Sequence, residues 1–117
     1  MELKSKTTVY SCSGCSNVAQ LANKIAVKLD REQLATMSCI AGVGGDVLPL
    51  LNQAKKAQKI LVLDGCQLAC AFNCLKRHEI SVDNHLILTD FQLSKSMHSD
   101  FSEEEFLLNY ELIKKLV

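Results

Sequence analysis

The sequence predicts an α/β fold of three layers, with a mostly parallel four-stranded sheet between helices. Strand-like segments alternate four times along the chain with segments whose apolar residues recur at helical spacing. The third strand-like segment, KILVLDG (59–65), is an unbroken apolar run bounded by charge and glycine. Such a run is typical of a parallel strand that is covered on both faces. Strands separated by helices run parallel, with right-handed crossovers.

The first strand is predicted in TTVYSC (7–12), and a helix is predicted after it, because the apolar residues that follow recur at helical spacing. Asn17 and Gln20 are placed as a cap pair at the start of the helix. The apolar positions of the helix share one face: Val18, Leu21, Ala22, Ile25, Ala26 and Leu29.

The second unit begins with a short strand predicted in LATMSCIA (34–41). We expect the glycine-rich GVGG to form a tight turn. Asp46 is expected to open the following helix, because aspartate is a preferred N-cap residue, and Pro49 then falls in the first helical turn.

The second half of the chain completes four units. A helix is predicted from about Gln67 to His78, and a fourth strand in HLILTD (85–90). The last helix is expected to start at Ser102, with Glu105 completing a capping box.

The composition indicates a single domain over residues 1–117 that needs no disulfide. Its 48% apolar residues are enough for an ordinary core. Thirteen basic and thirteen acidic side chains cancel, so neither a nucleic acid nor an anionic membrane is an expected partner. MELKSKTTVY lacks the apolar core of a signal peptide, and the apolar runs are too short to span a bilayer, which predicts a cytoplasmic protein.

Six cysteines make this short chain cysteine-rich. In a reducing cytoplasm they indicate metal or redox chemistry before disulfides. Cys12, Cys39 and Cys66 each fall at or near the end of a predicted strand, hence at the carboxyl edge of the sheet, where open α/β sheets bind ligands. We favour the strand order 2-1-3-4, Rossmann-like or flavodoxin-like, as the simplest doubly wound arrangement. With that order the three strands are neighbours, and Cys39 and Cys66 fall within about 10 Å of Cys12.

Two further cysteines are within reach of that edge. Cys15, in CSGC, follows the first strand, and Cys70 lies about 6 Å along the next helix from Cys66. Cys74, about 12 Å along the same helix, is expected to lie beyond reach. The candidate metal ligands are Cys12, Cys15, Cys39, Cys66 and Cys70.

Soft thiolates at tetrahedral spacing select zinc or an iron–sulfur cluster, and structural zinc sites commonly use C-x2-C pairs. The competing interpretation is that free cysteines serve as small buried apolar residues. This interpretation could explain any single cysteine. It explains less well why three cysteines are predicted at the same edge of the sheet.

Other residues near the cysteines have simpler interpretations. Asp64 is expected to anchor the following loop through hydrogen bonds, and His85, at the start of a strand, to lie on the surface at the opposite edge. Lys95 and His98 are expected to be solvated loop residues, with a position over the thiols as the alternative.

Three segments, YSCSGCSN, MSCIAGVGGD and LDGCQLAC, together resemble the DGC-domain family of small prokaryotic proteins, named for the motif at 64–66. The resemblance covers nearly the whole chain and implies a zinc-type site carried by the same five cysteines, without implying a particular reaction. The sequence departs from the family pattern at three positions. Gln67 stands where many members have proline, Ala69 where many have histidine, and Gln92 where a glycine is expected.

Three classes of function fit these features. The leading hypothesis is a zinc-binding protein in which the ion ties strand ends together or is held for transfer to or from another protein. The alternative is a thiol redox or sulfur-handling protein, with Cys12 and Cys15 as the attacking and resolving pair. A metal hydrolase ranks last, because no His or Glu falls in an obvious place for a general base, and the sequence assigns no catalytic residue.

Overall fold

The structure, a computed structural model, describes residues 6–117, which form a four-stranded parallel sheet in the order β2-β1-β3-β4. β1 (Thr7–Ser11) lies between β2 (Thr36–Met37) and β3 (Lys59–Asp64), and β4 (Asn84–Ile87) pairs with β3 at the far edge. The predicted α/β class and the predicted 2-1-3-4 order are both confirmed.

Helices cover both faces of this sheet. The described residues contain five α-helices: α1 (Asn17–Arg31), α2 (Ile40–Gly44), α3 (Leu48–Lys56), α4 (Cys70–Arg77) and α5 (Glu103–Lys114). A single 3-10 turn (Leu88–Phe91) follows β4. Within residues 6–117 no helix combines the length and the apolar character needed to cross a membrane.

The alternation of side chains along the strands divides the core into two clusters. Val9, Leu61 and Leu63 pack with α1 and α5 on one face. On the other face, α2, α3 and α4 pack against three further strand residues, which are Tyr10, Ile60 and Val62. The order of the strands and the two clusters together leave the carboxyl ends of β1 and β3 side by side at the centre of one edge.

The second strand–helix unit differs from its prediction. GVGG does not form a turn by itself: its first three residues belong to α2 (Ile40–Gly44), and Gly45 lies in the turn that follows the helix. A Cβ added at Gly42 would lie 1.8 Å from the Leu50 side chain, so this glycine permits the close packing of α2 against α3. Asp46 does not open a helix: α3 begins at Leu48, and the Asp46 carboxylate instead accepts a hydrogen bond from Arg77.

The start of α1 also differs. Its N-cap is Ser16, whose Oγ accepts a hydrogen bond from the Ala19 amide at 3.2 Å. The expected cap pair, Asn17 and Gln20, uses its side chains to hold neighbouring loops instead. At α5 the predicted capping box between Ser102 and Glu105 is present.

Candidate functional site

A cavity of about 360 Å³ opens at the carboxyl edge of β1 and β3. Five free cysteines contribute to its lining: Cys12, Cys15, Cys66, Cys70 and Cys74. Cys39 is exposed at the N-terminal end of α2 and is not among the lining residues, although Ile40 and Ala41 are. The structure thus brings four of the five candidate ligands to one cavity, leaves Cys39 outside it, and adds Cys74.

Cys12 is a half-buried thiol at the centre of the sheet edge. It follows β1 directly, and its Sγ accepts a hydrogen bond from the Gly65 amide at 3.1 Å. Burial raises the pKa of the Cys12 thiol to about 11, and nearby negative charge on Asp64, Cys70 and Cys66 acts in the same direction against the opposing effect of the Gly65 bond. In the metal-free protein Cys12 is therefore a neutral thiol at neutral pH.

Gly65 allows the chain to pass close to α1 before it reaches Cys66. A Cβ at position 65 would lie 2.6 Å from the amide nitrogen of Ala19 and 2.7 Å from the carbonyl carbon of Val18. Both neighbours are backbone atoms, which cannot rotate away. Glycine at the centre of the motif is therefore required by this close approach, and the approach brings Cys66 to the same cavity as Cys12.

Lys95 supplies a positive charge to the cavity. Its Nζ lies 3.4 Å from the Sγ of Cys66. Asn17 holds this part of the loop: its Nδ2 donates to the Ser94 carbonyl at 3.0 Å, and its Oδ1 accepts from the Ser96 amide at 2.6 Å. Lys95 is exposed, as expected of a solvated loop residue, and it also takes the alternative position over the thiols. It is the one Lys or Arg among the described residues that line the cavity.

His98 and Gln92 belong to the same loop. His98 is exposed, as expected. Gln92, which stands where the family resemblance leads us to expect glycine, has φ 63. That left-handed conformation costs glycine nothing and costs other residues free energy. The backbone at Gln92 thus keeps the shape that a glycine favours.

The helix that carries Cys70 and Cys74 begins later than predicted. α4 starts at Cys70 instead of Gln67, and Ala69 before it adopts the left-handed conformation, with φ 51. Cys74 is consequently one helical turn, about 6 Å, from the helix start and not two. Its Sγ lies 3.0 Å from the position of a Cβ added at Gly44. Burial raises the pKa of the Cys74 thiol, and negative charge on Cys70 adds to the effect.

Asp64 anchors the start of α4. It is 1% exposed, its Oδ1 accepts from the Ala71 amide at 2.9 Å, and its Oδ2 accepts from the Phe72 amide at 3.2 Å. The same Oδ2 lies 2.7 Å from Nε2 of His85, whose ring stacks on Phe72 at a centroid distance of 4.5 Å. The expected role of Asp64 is confirmed, whereas the prediction of a surface position for His85 is wrong.

The cysteines do not form a ready-made metal site. Within residues 6–117, no group of three or more His, Cys, Asp or Glu side chains is placed so that it could hold an ion as it stands. The walls between the sulfurs are largely apolar and include Ala19, Ile40, Leu68 and Met97. The arrangement is an apolar cavity with several free thiols and one cation on its wall.

Comparison with known proteins gives one family. The family model described as the DGC domain matches residues 8–112, a stretch that includes all six cysteines. The chain is 54% identical over 97 residues to the protein named Anaerobic and virulence modulator AnvM of Pseudomonas aeruginosa strain PAO1, and the alignment covers 83% of this chain and 74% of that protein. No solved structure matches the chain with significance. The chain belongs to the DGC-domain family.

Proposed function

We propose that this protein binds a zinc ion through cysteine thiolates at the carboxyl edge of β1 and β3, and that it passes the ion to or from another protein. The observation that supports the proposal most strongly is the convergence of five free thiols on one cavity. They come from three separate segments: the turn after β1, the turn after β3, and the first two turns of α4.

The chemistry of the donor set fits zinc. Sulfur ligands select zinc over hard cations such as magnesium or calcium. A zinc ion binds four ligands, and five cysteines line this cavity. Negative charge on Cys66 or Cys70 raises the pKa of Cys12. A divalent cation among these sulfurs would offset that mutual repulsion. Zinc is our first choice, ahead of iron.

Binding would require rearrangement and loss of protons. The sulfurs must approach to about 2.3 Å from the ion, so cysteine side chains have to turn toward one another. Cys12 must give up the proton that its burial holds, so zinc binding should release protons and should weaken as pH falls. Lys95, beside Cys66, would offset part of the net negative charge of a zinc–thiolate centre.

Exposure of two ligands favours transfer over a purely structural ion. Cys15 and Cys70 are exposed, whereas Cys12 and Cys66 are half-buried. An incoming thiolate of an acceptor protein can therefore approach the exposed side of the site and displace ligands one at a time. The free thiols agree with a reducing compartment, and we include the cytoplasm in the proposal. The P. aeruginosa relative is named for anaerobic conditions, in which thiols also stay reduced.

The test is metal content together with a count of reactive thiols. We expect purified protein to carry about one zinc per chain and to hide at least three thiols from a thiol reagent until a chelator is added. Chelation should also lower the melting temperature, because an ion that binds only the folded state stabilises it by mass action. Metal-free protein that regains no zinc, with every thiol reactive before chelation, would contradict the proposal.

A thiol redox or sulfur-handling function is the second candidate, and one observation favours it: Cys12 and Cys15 line the same cavity. The raised pKa of Cys12 argues against that thiol as the attacking group, because little of it is thiolate at neutral pH. Mapping disulfides after mild oxidation tests this candidate. A Cys12–Cys15 disulfide that forms rapidly in protein free of metal would support it over zinc binding.

A further inference from the structure

The outward side of α5 carries four exposed leucines with one carboxylate, Glu111, among them, while the opposite side packs into the core. Its inner face buries Phe106, Tyr110 and Ile113. Four leucines on the other side are 46% to 63% exposed: Leu107, Leu108, Leu112 and Leu116. Exposed apolar side chains that are grouped together often mark a surface at which another protein binds. None of the described residues covers this leucine face.

Charged residues border the leucine face in a self-complementary order. At 100° per residue, Glu104, Leu108, Leu112 and Lys115 all point within about 40° of one direction, away from the core. Glu104 lies near the N-terminal end of α5, and Lys115 caps its C-terminal end. A second copy of α5 in antiparallel orientation would therefore place opposite charges together at both ends.

One two-fold axis pairs Glu104 with Lys115 and Leu108 with Leu112, and it also brings the exposed Glu111 of the two copies near each other. The midpoint between Glu104 and Lys115 falls between positions 109 and 110, and the midpoint between Leu108 and Leu112 falls at position 110. An axis through this point brings Glu104 to Lys115 of the second copy and Leu108 to Leu112 of the second copy. The two midpoints nearly coincide. A two-fold interface uses the same surface of both copies and repeats each contact, so it requires such a common midpoint.

We infer that the leucine face of α5 binds a second copy of this chain, in an antiparallel two-fold dimer. The helix is 12 residues, about 18 Å, long, so the contact is small and the dimer should be weak and dependent on concentration. The described lining of the thiol cavity contains no α5 residue, so dimerisation leaves the cavity open. The inference is independent of the proposed zinc binding.

Sedimentation velocity of metal-free and zinc-loaded protein over a wide range of concentrations tests this inference. We expect a monomer–dimer equilibrium in both. Leu108→Lys should abolish the dimer, while Leu48→Lys, at a residue of α3 that is equally 63% exposed, should leave it intact. Circular dichroism confirms that each variant is folded.

A charge-exchange cycle tests the orientation. Glu104→Lys alone and Lys115→Glu alone should each weaken the dimer about tenfold, since each creates two like-charge contacts per interface. The double variant should recover the affinity of the wild type. A chain that stays monomeric at all concentrations, an equal loss of dimer in the Leu48 and Leu108 variants, or a double variant weaker than either single variant would overturn the inference.

Discussion

The ammonium group of Lys95 lies 3.4 Å from the sulfur of Cys66, although 29 residues separate them along the chain. Three hydrogen bonds to Asn17 hold the loop that carries Lys95: its side chain bonds the Ser94 carbonyl and the Ser96 amide, and its backbone amide donates to the Ser96 carbonyl at 3.1 Å. The side chain of Asn17 thus contributes two of the hydrogen bonds that position Lys95.

Replacing Asn17 should free this loop. In Asn17→Ala, the Ser96 amide loses its acceptor, and we expect its hydrogen exchange to become about tenfold faster, since the two lost hydrogen bonds are each worth about 0.5–1.5 kcal/mol. Asn23→Ala is the control, because Asn23 contacts Ser11 and not the loop. Unchanged exchange at Ser96 would show that the loop is held by other contacts.

Asp64 should matter for stability through the start of α4. Asp64→Ala leaves the Ala71 and Phe72 amides without their acceptor, and we expect the free energy of unfolding to fall by about 2 kcal/mol or more. Urea titration followed by circular dichroism measures the change. Asp90→Ala removes an exposed bond to Gln67 and should cost less than about 0.5 kcal/mol. Equal losses in the two variants would contradict the anchoring role.

Gly65 should tolerate no side chain. Gly65→Ala places a methyl group 2.6 Å from the backbone of Ala19, so α1 or the turn must move, at a cost of about 1–3 kcal/mol or more. Gly14→Ala, whose added Cβ would meet the Ala19 side chain at an ordinary 3.7 Å, is the matched control. Thermal unfolding should show a clear loss for the first variant and little for the second. A Gly65→Ala protein as stable as Gly14→Ala would refute the close approach.

Much of the fold was predictable from local patterns. The apolar run at 59–65 predicted a buried parallel strand, and four strand–helix alternations predicted the fold class. The strand order 2-1-3-4 was favoured because it is the simplest doubly wound arrangement, and the structure has it. The GVGG segment was misread because glycines in a turn and glycines in a helix packed closely on a neighbour look alike in sequence. Only the approach of Leu50 to Gly42 distinguishes the two.

The position of His85 depends on how β4 is aligned with β3. The sequence of a strand as short as β4 does not reveal that alignment. β4 pairs His85 with Val62, so the imidazole points to the same face as Asp64, two residues further along β3. Side chains alternate between the two faces of a strand, so Val62 and Asp64 lie on the same face of β3. The segment HLILTD does not indicate which of its residues pairs with which residue of β3. Cys74 lies closer to the helix start than predicted, because the left-handed turn at Ala69 delays the start of α4.

The raised pKa of Cys12 predicts a pH dependence of stability in metal-free protein. The folded state holds this proton up to about 11, whereas an ordinary thiol loses it near 9.0, so the stability contribution is complete below 9.0 and is lost as pH rises from there through 11. The free energy of unfolding of the wild type should therefore fall relative to that of Cys12→Ser across this interval. Burial also raises the pKa values of Tyr10 and Tyr110. Both tyrosines are present in the two proteins, so their contribution cancels when the free energies of unfolding are subtracted. A constant difference would place Cys12 in contact with solvent.

Cobalt substitution tests the central claim, that thiolates of the cavity bind a metal ion, most directly. Titrating metal-free protein with Co²⁺ should produce a sulfur-to-cobalt charge-transfer band that saturates at about one equivalent and is lost on addition of zinc. Cys39→Ser, outside the cavity lining, should give the same titration, and Cys66→Ser, beside Lys95, should give little or no band. The absence of any band in the wild type, or a band lost in Cys39→Ser and kept in Cys66→Ser, would contradict the claim.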